Sequence, residues 1–442
     1  MENALLATLY QSRKIDQIKL KFILKCVREE TMRDQQEDTP PSSVNGDEII
    51  GMDEGEGFLL YDDVEEVQLD DLEEMFSGEG EDDYMEMETE PPEDHATFVF
   101  NKHVGSVFCC DLHPDGKLAV TGGEDDRAYV WSVTDGQLIM DCLGHKDSVI
   151  FVGFSFDGAY LATADMSGLI KVWKCSTKEN RQLNWKVVFE YEADDLTWGL
   201  WHFGARYLIC GSVSGDIYIF KVPSGECKVL QGYNIKVECG KLFQDGLRLA
   251  AGYEDGAVKI WDLKNSAVLQ QVPASVHEIR VTAIDTHPDG NLMASISTDG
   301  KVVLTTANNG KVVGQMEAEN DLETVAFGQD PQLGLLATGT LTGAVCIWDV
   351  PRQMIRHHCA KSDEAVGGVT KMVWVKNHLI TGCLDGSIRV YEGRTGERSQ
   401  TLTGNRSEVL DLCYNPKESL ILTTSDDGTA RIFKYEVNKD ND

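Results

Sequence analysis

Few residues in this chain have the types and the spacing that catalysis requires. Asn308–Lys311 resemble the second half of a phosphate-binding loop, but Thr305 stands where the first glycine belongs, and a strand pattern follows instead of a helix. Gly211–Gly215 resemble a turn that carries a nucleophilic serine, but Val213 occupies the nucleophile position. The sequence therefore predicts no catalytic residues and a protein that is not an enzyme.

Metal binding has equally little support in the sequence. His357 and His358 are followed by Cys359, but neighbouring residues of a strand point to opposite faces, so the two imidazoles cannot easily share one ion. The twelve cysteines are scattered without a CxxC pair, which is typical of free thiols in a reducing compartment. We therefore predict no metal, no cofactor and a cytoplasmic location, with the nucleus left open as a second compartment.

The charge of the chain is distributed unevenly. The net charge is −34 over 442 residues, and residues 34–94 alone hold 25 acidic residues and no lysine or arginine. This excess argues against direct nucleic-acid binding, since phosphates need Lys and Arg, and it favours basic protein partners. A block of like charges repels itself, so we predict that 34–94 is a disordered acidic leader. The sequence contains no run of eighteen apolar residues, so we predict no membrane span.

Two parts of the N-terminal region leave alternatives open. Val64, Leu72, Met75 and Phe76 interrupt the acidic leader and could share one face of a short helix. The leader is then either a solvated tail or a linear motif that folds onto a partner. Residues 1–33 mix basic and apolar residues at roughly helical spacing, which fits a partner-binding helix or a targeting sequence. The sequence assigns this segment no role.

A repeat of about 43 residues organises the rest of the chain. A turn pair is followed by alternating apolar residues and then by a closing residue, which is usually aromatic. The closing residues lie 41 to 47 positions apart and are Trp131, Trp173, Phe220, Trp261, Thr305, Trp348, Tyr391 and Phe433. Four short antiparallel strands per repeat make one propeller blade. We therefore predict an all-β, eight-bladed β-propeller over 95–437, followed by a polar tail at 438–442.

The last repeat predicts how the ring closes. It supplies strands near Val409–Tyr414, Ser419–Thr424 and Thr429–Tyr435, and too few residues follow for a fourth strand. An unused strand pattern, Ala96–Phe100, precedes the first repeat. We predict that this N-terminal strand completes the eighth blade, because an open ring would leave unpaired strand edges.

The repeats resemble the WD-repeat family, which implies a protein-binding propeller. The resemblance rests on Gly144–Ser148, on the turn Pro114–Gly116 and on the pairs Trp261-Asp262 and Trp348-Asp349. In that family a His, a Ser or Thr, an Asp and a Trp form a hydrogen-bonded tetrad that locks loops to the sheet. The tetrad residues implied here are His103, Thr121, Asp125 and Trp131 in the first repeat, and His145, Thr163 and Trp173 in the second, where Ser167 stands in place of the aspartate.

The geometry of a four-stranded blade predicts a binding face. The loops between second and third strands and the loops between blades emerge on one face of such a ring. These loops carry Glu124, Asp126, Asp147, Asp194, Asp195, Glu254, Asp321, Glu323, Asp363, Glu364, Glu408 and Asp426, and Trp198 follows one of them. A ring of carboxylates would attract a peptide rich in Lys and Arg. The alternative is that the loops are acidic only because the protein is.

Five stretches, among them Gly122–Asp126, Gly144–Val149 and Gly252–Gly256, resemble the angio-associated migratory cell protein family. Fungal relatives of that family are chaperones that hold a basic large-subunit ribosomal protein until assembly. Animal relatives are linked to cell migration and angiogenesis. The resemblance therefore implies either a monomeric, cytosolic escort for a basic ribosomal protein or peptide, or a scaffold in migration and angiogenesis signalling. We favour the escort, with the acidic loops as its binding face.

Overall fold

The computed structural model describes residues 93–177, 183–272, 275–318, 321–359 and 367–437. The predictions for residues 1–33, for the tail at 438–442 and for all but the last two residues of the acidic leader lie outside the described residues. Asp363 and Glu364 of the predicted binding face lie outside them as well. Within the described ranges, no helix is long and apolar enough to cross a membrane.

The described chain folds into eight four-stranded antiparallel sheets, and seven of them consist of four consecutive strands. Short apolar strands separated by Asp-Gly and similar turns favour this meander. Strand β1 (Phe98–Phe100) comes first in the chain and belongs to the last sheet. Blade 1 contains β2 (Val107–Leu112), β3 (Leu118–Gly123), β4 (Ala128–Ser132) and β5 (Leu138–Cys142); blade 2 contains β6 (Val149–Phe154), β7 (Tyr160–Asp165), β8 (Leu169–Thr177) and β9 (Leu183–Glu192); blade 3 contains β10 (Leu196–Trp201), β11 (Tyr207–Ser212), β12 (Ile217–Lys221) and β13 (Glu226–Leu230); blade 4 contains β14 (Val237–Leu242), β15 (Arg248–Tyr253), β16 (Val258–Asp262) and β17 (Ala267–Val272).

The second half of the ring repeats the same order. Blade 5 contains β18 (Val281–Thr286), β19 (Leu292–Ser297), β20 (Lys301–Thr306) and β21 (Val312–Glu317); blade 6 contains β22 (Leu322–Phe327), β23 (Leu335–Thr340), β24 (Val345–Asp349) and β25 (Met354–His358); blade 7 contains β26 (Val369–Val375), β27 (His378–Cys383), β28 (Ile388–Glu392) and β29 (Arg398–Leu402); blade 8 contains β30 (Val409–Asn415), β31 (Leu420–Ser425), β32 (Ala430–Lys434) and β1. The predicted eight-bladed β-propeller is confirmed.

The N-terminal strand closes the ring, as the sequence predicts. Strand β1 pairs antiparallel with β32, and Phe98 lies opposite Ile432 in the register. The ring of Phe100 stacks on the indole of Trp131 in blade 1, with centroids 4.7 Å apart and planes 4° apart. The first strands of blades 8 and 1 are joined as well, because the Cys110 amide donates to the Asp411 carboxylate at 3.1 Å. Blade 8 is therefore fixed to blade 1 at its outer edge and near the axis.

The hydrophobic core lies between blades. Each of the eight clusters of buried apolar residues combines residues from two neighbouring blades. One cluster, for example, packs Val120 and Val130 of blade 1 against Val152 and Leu161 of blade 2. A single blade thus buries its apolar faces only when both neighbours are present, which makes ring closure a condition for a complete core.

Backbone hydrogen bonds between loops show which loops share a face. On one side, the loop between second and third strands bonds to the loop that enters the same blade, as in Glu124 N to Ser106 O at 2.9 Å. On the other side, the loop after the third strand bonds to the loop after the first, as in Leu263 N to Leu247 O at 3.0 Å. The first set is the set in which the sequence places the acidic loops. We call this side the acidic face.

Candidate protein-binding face

Blade 2 shows the hydrogen-bonded chain of a WD repeat in full. His145 donates from Nδ1 to the Asp165 carboxylate at 3.0 Å, and its Nε2 lies 2.8 Å from the hydroxyl of Thr163. The indole of Trp173 donates to the same hydroxyl at 3.1 Å. The acid is Asp165, the last residue of β7, and this corrects the expectation that Ser167 takes its place. Ser167 instead donates its hydroxyl to Asp165 at 2.8 Å.

Blade 1 has a shorter chain of bonds. His103 lies 2.9 Å from the Asp125 carboxylate and 3.0 Å from the Thr121 hydroxyl. The indole nitrogen of Trp131 has no hydrogen-bond partner among the described residues, so Trp131 departs from the tetrad that the sequence implies. Its ring is fully buried and lies against Phe100 of the closing strand, so packing holds it where blade 2 uses a hydrogen bond.

Blade 4 replaces the histidine with an aromatic cage around a lysine. The hydroxyl of Tyr233 donates to the Asp255 carboxylate at 3.2 Å, and the indole of Trp261 donates to the Tyr253 hydroxyl at 3.2 Å. The ammonium of Lys259 lies 3.4 Å from the centroid of the Tyr233 ring and 5.1 Å from that of Tyr253. The faces of aromatic rings attract a desolvated cation. The cage therefore stabilises the junction between loop and sheet in the blade that lacks the histidine.

Some carboxylates of the predicted binding face are exposed and others are not. Glu124, Asp194, Glu254 and Asp321 are exposed, whereas Asp126, Asp195, Glu323 and Asp426 are half-buried. Asp147 and Glu408 are only 6% and 7% exposed. Asp147 accepts a hydrogen bond from the amide of Ser148 at 2.6 Å. A partner that approaches the acidic face therefore meets the first group, while Asp147 and Glu408 contribute mainly to the local field.

Three of the predicted carboxylates meet at the junction between blades 8 and 1. The hydroxyl of Ser106 donates to Asp426 at 2.5 Å, and its amide donates to Glu124 at 3.2 Å. The hydroxyl of Ser407 donates to Glu408 and, at 3.4 Å, to Asp426. Two serines thus gather Glu124, Glu408 and Asp426 into one patch across the closing seam. The remaining predicted acids that the structure describes lie in loops or first strands of blades 1, 2, 3, 4 and 6.

Trp198, which the sequence places next to the binding face, does not have the exposed side chain of a recognition residue. It is half-buried in β10, and its indole lies so close to Gly211 and Gly240 that a β-carbon on either glycine would come within 2.4 Å of it. Gly211 belongs to blade 3 and Gly240 to blade 4. Trp198 therefore packs as a wedge between two blades, and the two glycines provide the space for it.

A β-bulge at the second residue of the first strand recurs in every blade. First strands of adjacent blades contact one another, so these bulges surround the axis at the end nearest the acidic face. The bulge residues are Phe108, Ile150, Thr197, Glu238, Thr282, Glu323, Thr370 and Leu410. Bulges re-aim side chains, and here they bring Glu238 to the same ring as Glu323. Sequence reasoning missed Glu238, although its position at the start of a repeat was a usable signal.

Comparisons with known proteins agree with this architecture. The family model described as "WD domain, G-beta repeat" matches residues 95–132, 136–174, 226–262 and 396–434. Angio-associated migratory cell protein of Homo sapiens is 37% identical over 358 residues, which cover 77% of this chain and 80% of that protein. This chain belongs to the angio-associated migratory cell protein family. The same-named protein of Canis lupus familiaris is 38% identical over 360 residues, with the same coverage.

More distant relatives of this family share the propeller. Ribosome assembly protein SQT1 of Saccharomyces cerevisiae is 24% identical over 411 residues, which cover 84% of this chain and 92% of that protein. The crystal structure of Chaetomium thermophilum Sqt1 bound to the N-terminus of ribosomal protein L10 matches with a TM-score of 0.71 at 22% identity. The match covers 78% of this chain and 100% of that one. At this identity the likeness shows the shared fold.

In this member of the angio-associated migratory cell protein family, the WD-repeat family model leaves some blades unmatched, although their four strands are complete. Most of blades 3 and 7 and all of blades 5 and 6 lie outside the matched ranges. A second model, described as "Anaphase-promoting complex subunit 4 WD40 domain", matches residues 271–330, which include blade 5. Blade 5 ends its third strand in Thr305-Thr306 where other blades have an aromatic residue. The sheet forms there without the motif because both neighbouring blades cover it.

Proposed function

We propose that this protein is a non-enzymatic escort that binds a basic protein segment on the acidic face of its propeller. One observation carries the proposal: exposed carboxylates from several blades share one face. Glu124, Glu254 and Asp321 come from three different blades and are all exposed there. Other acids of the same loops, such as Asp125 and Asp427, are engaged by His103 and Arg431 and serve the fold. Glu124 accepts one hydrogen bond, from the Ser106 amide, and its exposed carboxylate stays open to a partner.

The charge distribution favours an extended basic client. Carboxylates spread around a ring produce a broad negative potential that accelerates capture of a cationic chain. Glu124 and the half-buried Asp426 at the seam, and the half-buried Glu238 and Glu323 near the axis, give such a chain two separate groups of acids to contact. The structure of Chaetomium thermophilum Sqt1 bound to the N-terminus of ribosomal protein L10 supports a ribosomal protein as the client.

The test is a binding titration of the full chain with a synthetic peptide of the L10 N-terminus, measured by calorimetry at low and high salt. We expect affinity to fall as salt rises, because exposed charges are screened over about 10 Å at 0.1 M salt. Reversing Glu124, Glu254 and Asp321 to lysine should weaken binding at least roughly tenfold.

The matched control reverses three exposed glutamates that lie away from the acidic face, Glu397, Glu418 and Glu436. Both variants change the net charge by the same amount, so a nonspecific charge effect would weaken them equally. Equal weakening, or no weakening in the acidic-face variant, would show that the client does not bind this face.

A second candidate function is a scaffold in cell migration. The observation that favours it is the name of the relatives that are 37 to 38% identical, angio-associated migratory cell protein. A scaffold would hold partners on several sides of the ring. The acidic-face variant should then still restore migration in cells depleted of the protein, whereas the escort function requires that it fail to rescue ribosome assembly.

A further inference from the structure

A groove between blades 3 and 4 opens on the side of the ring opposite the acidic face. Its cavity measures about 550 Å³, which is within the usual range of ligand-binding clefts. The loops after the first strands of both blades and the loop after the third strand of blade 4 line it, on the side away from the acidic loops. We call this cavity the lysine groove.

The floor of the lysine groove is apolar. Ile209 and Ile219 of blade 3 are 0% and 4% exposed and lie beneath it, and the half-buried Leu263 of blade 4 reaches its surface. Tyr207 and Leu247 line the mouth and are 38% and 58% exposed, so the apolar surface continues to the solvent. A surface of this kind gains free energy when an aliphatic or aromatic side chain covers it.

The rim of the groove is basic, in contrast to the protein as a whole. Lys221, Lys228 and Lys264 line it, and all three are exposed. Two acids also line the rim, but the Asp245 carboxylate already accepts a hydrogen bond from the Arg248 guanidinium at 2.6 Å. Glu226 forms an exposed ion pair with Lys221 at 3.9 Å, and such a pair holds neither side chain firmly in place. The rim thus presents three ammonium groups against one available carboxylate, in a chain with a net charge of −34.

The inner end of the groove is rigid. His202 lies 2.9 Å from the carbonyl oxygen of Gly246 through Nε2, and its Nδ1 accepts from the amide of Gly204 at 3.0 Å. A carbonyl only accepts and an amide only donates, so these partners make Nε2 the donor and Nδ1 the acceptor. The bond joins the first loop of blade 3 to that of blade 4. Phe203, which is 51% exposed, stacks on the same imidazole at 4.9 Å.

We propose that the lysine groove binds an acidic peptide segment that inserts one large apolar side chain between blades 3 and 4. The apolar side chain packs on Tyr207, Leu247 and Leu263, while flanking carboxylates of the peptide pair with Lys221, Lys228 and Lys264. An apolar slot with three lysines suits such a peptide better than a nucleic acid, which needs a longer basic track and ring faces for base stacking.

This site adds a second partner of opposite charge to the proposed escort function. The basic client and the acidic peptide would occupy opposite sides of the ring, so both can be bound at the same time. The two proposals fail separately, since variants of one face leave the residues of the other unchanged.

The probe is a fluorescein-labelled twelve-residue peptide with Leu-Phe at its centre and Asp and Glu on both sides. Its binding to the full chain is followed by fluorescence anisotropy. The titration is repeated with a version that begins at residue 93, so that the acidic residues before it cannot compete. That version keeps every strand of the described residues, because the eight sheets are complete within residues 98–434.

Two variants test the two halves of the groove. Lys228→Glu with Lys264→Glu should weaken the peptide at least tenfold, and Leu247→Ser should weaken it several-fold. The matched controls are Lys117→Glu with Lys417→Glu, and Met354→Ser, which alter exposed residues outside the groove and away from the acidic face. The controls should bind the acidic peptide normally, and all variants should bind the L10 peptide as before.

Three results would overturn the proposal. The first is absence of binding to both the full chain and the shortened version. The second is equal loss in the groove variants and their controls. The third is equal binding of a peptide in which lysines replace the acids or of a single-stranded oligonucleotide, because the rim would then not select for carboxylates on an apolar segment.

Discussion

The substitution Asp165→Ala measures how much a single buried carboxylate stabilises blade 2. Both carboxylate oxygens are engaged, and the side chain is fully buried. One oxygen accepts from His145 Nδ1 at 3.0 Å and from the Lys146 amide at 3.1 Å. The other accepts from the Ser167 hydroxyl at 2.8 Å and from the Leu169 amide at 3.1 Å. Alanine removes the acceptor of all four donors.

The expected cost follows from the number and burial of these donors. A buried donor that loses its partner costs about 1–3 kcal/mol, and water can reach those nearest the surface. Taking about 1 kcal/mol for each of the four bonds gives a loss of about 4 kcal/mol in the free energy of unfolding. Ser167→Ala deletes only the bond from Ser167, whose side chain is half-buried, so it should cost about 1 kcal/mol.

The assay is urea unfolding of the full chain followed by tryptophan fluorescence, together with hydrogen exchange of the β7 and β8 amides. We expect faster exchange in these strands for Asp165→Ala and near-normal exchange for Ser167→Ala. If the serine substitution costs as much as the aspartate substitution, Asp165 is not the acceptor that holds blade 2, and the corrected tetrad is wrong.

Three further results are expected. Lys259→Met should lower the free energy of unfolding by about 1–2 kcal/mol, because the cage of Tyr233 loses its cation, and the difference should vanish in a Tyr233→Leu background. Phe100→Ala should cost about 3–4 kcal/mol and speed exchange of the β32 amides, since it uncovers Trp131 at the closing strand. Burial alone would raise the pKa of Asp165, but hydrogen bonds from its donors outweigh burial and lower the pKa. The ionised Asp165 therefore stabilises the fold above the unfolded pKa of about 3.9, and this stabilisation is lost as pH falls below that value. We expect the difference in urea midpoint between the wild-type protein and Asp165→Asn to become smaller between about pH 5 and pH 3.

The fold was predictable because its signals are local and repeated. Turn pairs such as Asp255-Gly256 and closing residues such as Trp261 recur at nearly constant spacing, and each repeat contains the same four strands. The closing strand was predictable by counting, since the last repeat lacks one strand. Only its length differs: Ala96–Phe100 was expected, and Phe98–Phe100 is observed. Asp94 instead accepts from the amide of Ala96, which turns the chain before the strand begins.

The details of the candidate site depend on contacts that one sequence does not display. Asp165 and Ser167 lie two residues apart, and only the direction of the turn decides which one reaches His145. Asp147 looks as available as Glu124 in the sequence, but the loop folds it inward while Glu124 stays exposed. The cage around Lys259 combines residues from a loop and two strands, so the spacing of these residues in the sequence does not predict it.

The closing strand has a consequence for how the chain is made. Phe98 finds its partner Ile432 only after more than three hundred further residues have been added. At about 5–20 residues per second, β1 waits roughly 20 to 70 seconds during synthesis before it can pair. Late in that interval seven blades have been synthesised, and the two end blades still lack the neighbour that blade 8 provides. In a circular permutant that carries Phe98–Phe100 directly after Lys434, β1 could pair with β32 as soon as both have been synthesised. Comparing the yield of folded protein from this permutant and from the natural chain would measure the effect of the delay.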